Sequence, residues 1–192
     1  MHNIYKAIWA IRAAIYNLLF GSFKVPGYLG RPIFLLGASK IFIAERVRIL
    51  PGIRIEVHGE GRLEIRRNVR IGQNVHITCA SELVIDEGTI VTGNVVITDI
   101  DHEYRDVEKS VIDQPFLNAR TRIGRNCFIG AGACIQAGTA LGDGCIVGAN
   151  SVVRGHFPAH SVVVGVPARV VKRFNRDSGV WERAGSNGIA GD

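Results

Sequence analysis

Residues 123–152 read IGRNCF, IGAGAC, IQAGTA, LGDGCI and VGANSV. Aliphatics recur at Ile123, Ile129, Ile135, Leu141, Val147 and Val153, and Gly follows in four of the six cases. Four residues after the aliphatics stand small side chains: Cys127, Ala133, Thr139, Cys145 and Ser151. A period of six matches neither the repeat of a helix nor the alternation of a strand. It fits a short strand followed by a turn, with one aliphatic pointing inward per unit. Three units close a triangular coil of roughly 18 residues, and coils stack at the ~4.8 Å spacing of paired strands. The small residues fill the corners, and Gly serves where side chains would collide. One unit cannot bury its own face, so many are required. Ile129, Ile135, Leu141 and Val147 are expected inside, in one stacked column.

The same period runs earlier in the chain. Ile41, Val47, Ile53, Ile65, Ile71, Ile77 and Leu83 share one phase, missing only at Gly59. The phase then shifts by two, and Ile85, Val91 and Ile97 continue it. Residues 98–122 interrupt the repeat with the polar stretch TDIDHEYRDVEKSVIDQPFLNARTR. An all-β solenoid of five or six coils is expected over roughly 41–170. The interruption is its functional place, because long loops on compact scaffolds usually carry function.

Composition agrees. Of 192 residues, 47% are apolar but only 7% aromatic, so the core must be built from small and branched aliphatics. The 23 glycines and single Met suit short strands and tight turns. A net charge of +6 leaves nucleic acid, anionic lipid or a phosphorylated ligand as partners. No recognition-helix, zinc-finger or aromatic-basic motif is present, and the arginines are spread, which excludes nucleic acid. Cys79, Cys127, Cys134 and Cys145 form no CxxC and read as buried free thiols in a reducing compartment.

The first residues, HNIYKAIWAIRAAIYNLLFGSF, place Ile4, Ile8, Ile11, Ile15 and Leu18 at helical spacing, giving one apolar stripe. Lys6 and Arg12 interrupt any membrane span, and no signal-peptide pattern is visible. The stripe is expected to pack on the domain or a neighbouring subunit, or else to lie on the cytoplasmic face of a membrane.

The hexads, a loop His after an ITD strand end, a Pro shortly before IGRNCFIGAGACI, and then VVGVPARVVK together resemble the hexapeptide-repeat acetyltransferases. The likeness is to the galactoside and maltose O-acetyltransferase branch, and is greater still to relatives that O-acetylate bacterial surface polysaccharides. The resemblance implies a left-handed parallel β-helix, a homotrimer with active sites between subunits, and acetyl-CoA as co-substrate without a metal. It also implies a cytoplasmic enzyme moving acetyl to a sugar or glycan hydroxyl. The parts become an N-terminal helix and linker over 1–40 and the acyltransferase domain over 41–173, with its loop at 98–122. A partly disordered tail would follow over 174–192.

By the same resemblance the loop base is His102, although the branch reads TDHxH or TGHP where this chain has TDIDHEY. An ordinary imidazole is neutral at cytoplasmic pH and can take the proton of an attacking hydroxyl. Asp99, Asp101 or Glu103 could orient the ring, and the residues do not choose among them. Asp101 is also an acceptor-side candidate. The donor positions are Ala131, Ala149, Arg154, Arg169 and Lys172, the cations suiting phosphate oxygens. Asn74 matches an acceptor-contacting Asn, with a turn-forming Asn as its equal competitor. Asp86 is a weaker candidate. The rival readings are a xenobiotic or amino-sugar N-acetyltransferase, a non-catalytic scaffold, and a zinc carbonic anhydrase. The last would need His spacing that His58, His76, His102, His156 and His160 do not offer.

Overall fold

The computed structural model describes residues 2–184. It is a left-handed parallel β-helix of about seven turns with three flat faces. The first face stacks seven strands, from Ser22–Phe23 to His156–Phe157. The second stacks seven more, from Tyr28–Leu29 to Ser161–Gly165. It is extended by the antiparallel strands Ala168–Asn175 and Val180–Arg183. The third holds six, from Phe34–Leu36 to Val152–Val153.

Every inward aliphatic of the repeat is buried, but in three columns rather than one. Ile129 pairs in register with Val147 on the second face, Ile135 with Val153 on the third, and Leu141 with Ile123 on the first. A step of six moves the chain to the next face, and only a step of about eighteen returns it to the same column. Cys127, Ala133, Thr139, Cys145 and Ser151 lie buried at the corners, as their size requires.

The two-residue phase shift has a geometric source. Eighteen residues separate the register partners Ile129 and Val147, whereas twenty separate Ile71 and Val91. The earlier coils carry four-residue strands such as Arg62–Ile65 and Glu82–Ile85. Each of these points two side chains inward, Leu63 with Ile65 and Leu83 with Ile85.

Stacking also starts sooner than the hexads. Ser22–Phe23, Tyr28–Leu29 and Phe34–Leu36 pair in parallel with the strands above them and form a first coil before Ile41. Its inward residues are Phe23 and Leu29, spaced by six but framed by Lys24, Pro26 and Gly27. At the other end, the tail expected over 174–192 includes the strand Val180–Arg183, while 185–192 lie outside the described residues.

Helix α1 (His2–Tyr16) caps the open end of the first coil. Ala13 and Phe20 join the core, Trp9 packs on Tyr28 with ring centroids 5.6 Å apart, and Tyr16 packs on Phe20. The gripping face is therefore Trp9, Ala13 and Tyr16, and the aliphatic stripe faces away from the domain. Ile4, Ile8, Ile11, Ile15 and Leu18 are 46–86% exposed. The expectation that this stripe packs on its own domain is overturned. A flat coil end accepts the small Ala13 between aromatic rings better than a row of branched aliphatics.

One buried carboxylate holds the stack where it is interrupted. Asp99, fully buried, accepts the backbone N–H groups of Ala80 and Ser81 at 2.7 and 2.9 Å, the Ser81 hydroxyl at 2.9 Å and the Cys79 thiol. Its carbonyl accepts Ala119 N–H at 2.8 Å, pinching the base of the extruded segment shut. Asp99→Ala strands those donors and should lower unfolding free energy by about 2–3 kcal/mol in chemical denaturation. A loss below about 0.5 kcal/mol, the size of an ordinary surface change, would contradict this role.

Candidate active site

The segment 99–120 leaves the solenoid at the corner between the third and first faces, between the fourth and fifth coils. It is an antiparallel hairpin in which Ile100–His102 pairs with Phe116–Asn118, placing His102 opposite Phe116. The two rings meet edge-on, 5.0 Å between centroids, and His102 is otherwise exposed. Gln114 organises the outer part, donating to the carbonyls of Asp106 and Lys109 at 3.0 Å and accepting the Asp106 N–H.

The three carboxylates offered by the sequence as partners of the imidazole are all engaged elsewhere. Asp99 closes the corner beneath. Asp101 accepts the backbone N–H of His102 and the Arg154 guanidinium, each at 2.9 Å. Glu103 accepts both arms of Arg105, which hold its carboxyl at about 2. Among the described residues no hydrogen bond reaches the His102 ring, whose position rests on the strand pairing and on Phe116. Phe116 was not singled out from the sequence; the apolar pair Phe116–Leu117 inside a polar loop was the available signal.

Arg154 follows the third-face strand Val152–Val153 and so stands at the same corner as the hairpin, tied to Asp101. The other donor candidates lie elsewhere. Ala131 and Ala149 are exposed at the corner between the second and third faces, one coil apart, with Asn150 N–H donating to Ala131 C=O at 2.9 Å. A Cβ on Gly130 would meet Ala149 N at 2.5 Å, so this ledge stays narrow. Arg169 pairs with Val164 at that same edge, its guanidinium donating to Ala168 C=O, and exposed Lys172 pairs with Val162 further along the strand.

Asn74 also lies at this second corner, with positive φ and a 3.4 Å contact to Asn94. A Cβ on Gly52 below would sit 2.2 Å from Asn74 Oδ1, so the corner column is tightly fitted. The turn-forming role therefore accounts for Asn74 within one chain. Asp86 is buried between Arg122 at 2.6 Å and Arg66 at 3.4 Å, on the first-to-second corner. Within one chain, then, the structure brings together His102, Asp101 and Arg154. Ala131, Ala149, Arg169 and Asn74 it places on a different edge.

The other groups are occupied. Burial pushes the Cys79 thiol up to about 12, helped by the Asp99 charge. Cys127 is raised by its hydrogen bond with Cys145 and by burial, and Cys134 by burial. His76 contacts Glu56 at 3.1 Å, His58 the same carboxylate at 3.5 Å, and His160 Arg176 at 3.2 Å. Among the described residues no three His, Cys, Asp or Glu side chains converge as metal donors.

A family model described as the hexapeptide repeat of succinyl-transferase matches residues 120–154. The putative lipopolysaccharide biosynthesis O-acetyl transferase WbbJ of Escherichia coli K12 is 31% identical over 160 residues, spanning 80% of this chain and 82% of that protein. This chain belongs to the hexapeptide-repeat acetyltransferases. The fold likeness extends to a galactoside acetyltransferase solved with coenzyme A, with TM-score 0.65, 20% identity, and 90% and 84% of the two chains covered. It extends also to the polysialic acid O-acetyltransferase OatWY, with TM-score 0.60, 24% identity, and 78% and 69% covered. Among the described residues of this acetyltransferase, no helix is long and apolar enough to cross a membrane.

The thiols give a direct check on the cysteines. Buried sulfur is shielded from reagents, and the raised Cys79 and Cys127 thiols stay protonated as well. In folded protein at pH 8, a thiol reagent should leave Cys79, Cys127 and Cys145 unmodified and reach only half-buried Cys134, with all four reacting after denaturation. Fast modification of any of the three buried thiols would contradict the geometry.

Proposed function

We propose that this acetyltransferase moves the acetyl group of acetyl-CoA to a hydroxyl of a sugar or surface-glycan precursor, with His102 as general base. The observation that carries the reading is the placement of His102. It is the one His on the extruded hairpin, exposed, backed by Phe116, and beside an Asp101–Arg154 pair that fixes the hairpin against the sixth coil. WbbJ, the relative spanning most of the chain, is described as a lipopolysaccharide O-acetyl transferase, which supports a glycan hydroxyl over an amine.

In the reaction the neutral imidazole takes the hydroxyl proton as the acceptor oxygen attacks the acetyl carbonyl carbon. The C–S bond then breaks, and the imidazolium returns the proton to the departing CoA thiolate. No ring-orienting carboxylate is needed within the chain, because strand pairing and the Phe116 edge limit the ring. A cysteine acyl-enzyme is disfavoured by the burial of Cys79, Cys127 and Cys145 and by the raised thiols of Cys79 and Cys127.

The donor would lie along the ledge of Ala131 and Ala149, where small side chains leave backbone groups open to a pantetheine arm. Arg169 and Lys172 would meet its phosphates. Because this ledge and His102 occupy different edges of one solenoid, a complete site needs two copies. That supports a homotrimer with sites between subunits, and Asn74, on the ledge's edge, would then face a neighbour's hairpin and the acceptor. The exposed Val107, Ile112, Phe116 and Leu117 of the hairpin are apolar surface suited to such a neighbour. The supply of acetyl-CoA supports a cytoplasmic location.

His102→Ala should leave the fold and acetyl-CoA affinity intact while lowering kcat at least about 10²-fold. His58→Ala and His76→Ala should not show that selective loss. Near-parent kcat for His102→Ala with the true acceptor would remove it as the base. Arg169→Ala and Lys172→Ala should raise KM for acetyl-CoA about tenfold or more and change kcat less, because they hold a part remote from the reacting carbon. Equal KM values would move the phosphate site elsewhere.

A further inference from the structure

The N-terminal cap has two properties that the acetyl-transfer reading does not use. Its outward helix face and the turn that follows form a continuous aliphatic stripe, with Ile4, Ile8, Ile11 and Ile15 of the helix and Leu18 and Leu19 of the turn all about half or more exposed. Its charge is also of one sign. Lys6, Arg12, Lys24, Arg31 and Lys40 fall within the first 44 residues, and the first acidic residue of the chain is Glu45. Lys6 further lines a shallow groove with Tyr28, Arg46 and Arg48, and among the described residues none of these three cations has a carboxylate partner.

We infer that this end of the molecule docks on an anionic lipid bilayer, with α1 lying in the interface plane and its stripe in the acyl boundary. Three arguments select that occupant. An α-helix of fifteen residues is about 22 Å long, short of the ~30 Å hydrocarbon core, so it lies on a bilayer rather than crossing it. Exposed Tyr5 flanks the aliphatics and is of a residue type that settles at headgroup level. Lys6, Arg46 and Arg48 complement headgroup phosphates, whereas a second copy of this chain would set two predominantly cationic ends against each other. The polar side of a free amphipathic helix is here replaced by the protein itself. Trp9, Ala13 and Tyr16 are held on the first coil, so the stripe is presented already folded and little ordering entropy is lost on docking.

The inference stands apart from the acceptor and the catalytic base, and its test keeps them separate. The full chain would be sedimented with vesicles of phosphatidylcholine containing phosphatidylglycerol, and with vesicles of phosphatidylcholine alone. Oligomer mass would be read by light scattering and acetyl-CoA affinity by calorimetry on the same preparations. The parent should partition onto the anionic vesicles, less so as salt rises. Ile8→Asn with Ile11→Asn should cut that partitioning at least about tenfold, with mass and acetyl-CoA affinity unchanged. Lys6→Gln with Arg48→Gln should weaken binding to the anionic vesicles only. A parent that stays in solution with both vesicle types overturns the inference. So does a lower oligomer mass in the isoleucine variant, which would show the stripe covered by another copy. Lost acetyl-CoA affinity with intact vesicle binding would instead count against the donor reading.

Discussion

The structure depends on turning a short strand through a tight corner every six residues or so. The backbone manages this in the left-handed region, which side chains tolerate poorly unless they are Gly or Asn. Among the described residues, five of the seven non-glycine residues with positive φ are asparagines: Asn68, Asn74, Asn94, Asn126 and Asn150. They stack with glycines up the corners, so that the Asn74 amide rests over Gly52 and that of Asn150 over Gly132, where a Cβ would have 2.2 Å of room. With corners fixed, each face can offer only one or two inward residues, and aliphatics of similar size must stack above one another. The core is thus a set of columns, and its composition follows from its corners.

A scaffold of this kind leaves little freedom for chemistry on its faces. Each coil is bonded above and below, so a reactive group that must reach a substrate has to be carried outward where the ladder can be opened and closed again. The third-to-first corner does this between the fourth and fifth coils. Asp99 satisfies the coil beneath, Ala119 returns to the Asp99 carbonyl, and Gly138 in the next coil donates to Ala119 in turn. The hairpin between them costs the stack nothing in register, since Leu83 and Ile85 still pair with Thr121 and Ile123 across it. In the proposed reaction chemistry and stability are separated along the chain, with buried Asp99 serving the second and exposed His102, three residues on, left for the first.

How much of this was legible in the sequence depended on whether a residue's role was set by period or by distant neighbours. The hexads of 123–152 gave the coil, the buried corners and the place of the interruption, because period fixes which way a side chain points. The first coil was hidden, since Phe23 and Leu29 are its only deeply buried strand residues and no unbroken series of hexads surrounds them. The direction of the helix stripe was also hidden. Both Ile4–Ile8–Ile11–Ile15 and Trp9–Ala13–Tyr16 have helical spacing, and only the shape of the coil end decides which is gripped. The family resemblance made Arg154 a phosphate ligand, but fifty-three residues back along the chain Asp101 meets it across the corner. Asn74 could not be divided between turn and acceptor until its column, from Gly52 to Asn150, was visible.

The central proposal is that the solenoid holds the fold and would hold the donor, while the hairpin would carry the chemistry. Replacing residues 101–117 with Asn-Gly tests it most directly, because a two-residue turn can close on the existing Ile100–Asn118 pair. The shortened protein should keep its β spectrum and cooperative unfolding, bind acetyl-CoA within about tenfold of the parent, and lose acetyl transfer by at least about 10²-fold. A shortened protein that unfolds, or one that still transfers acetyl at the parent rate, would contradict the account.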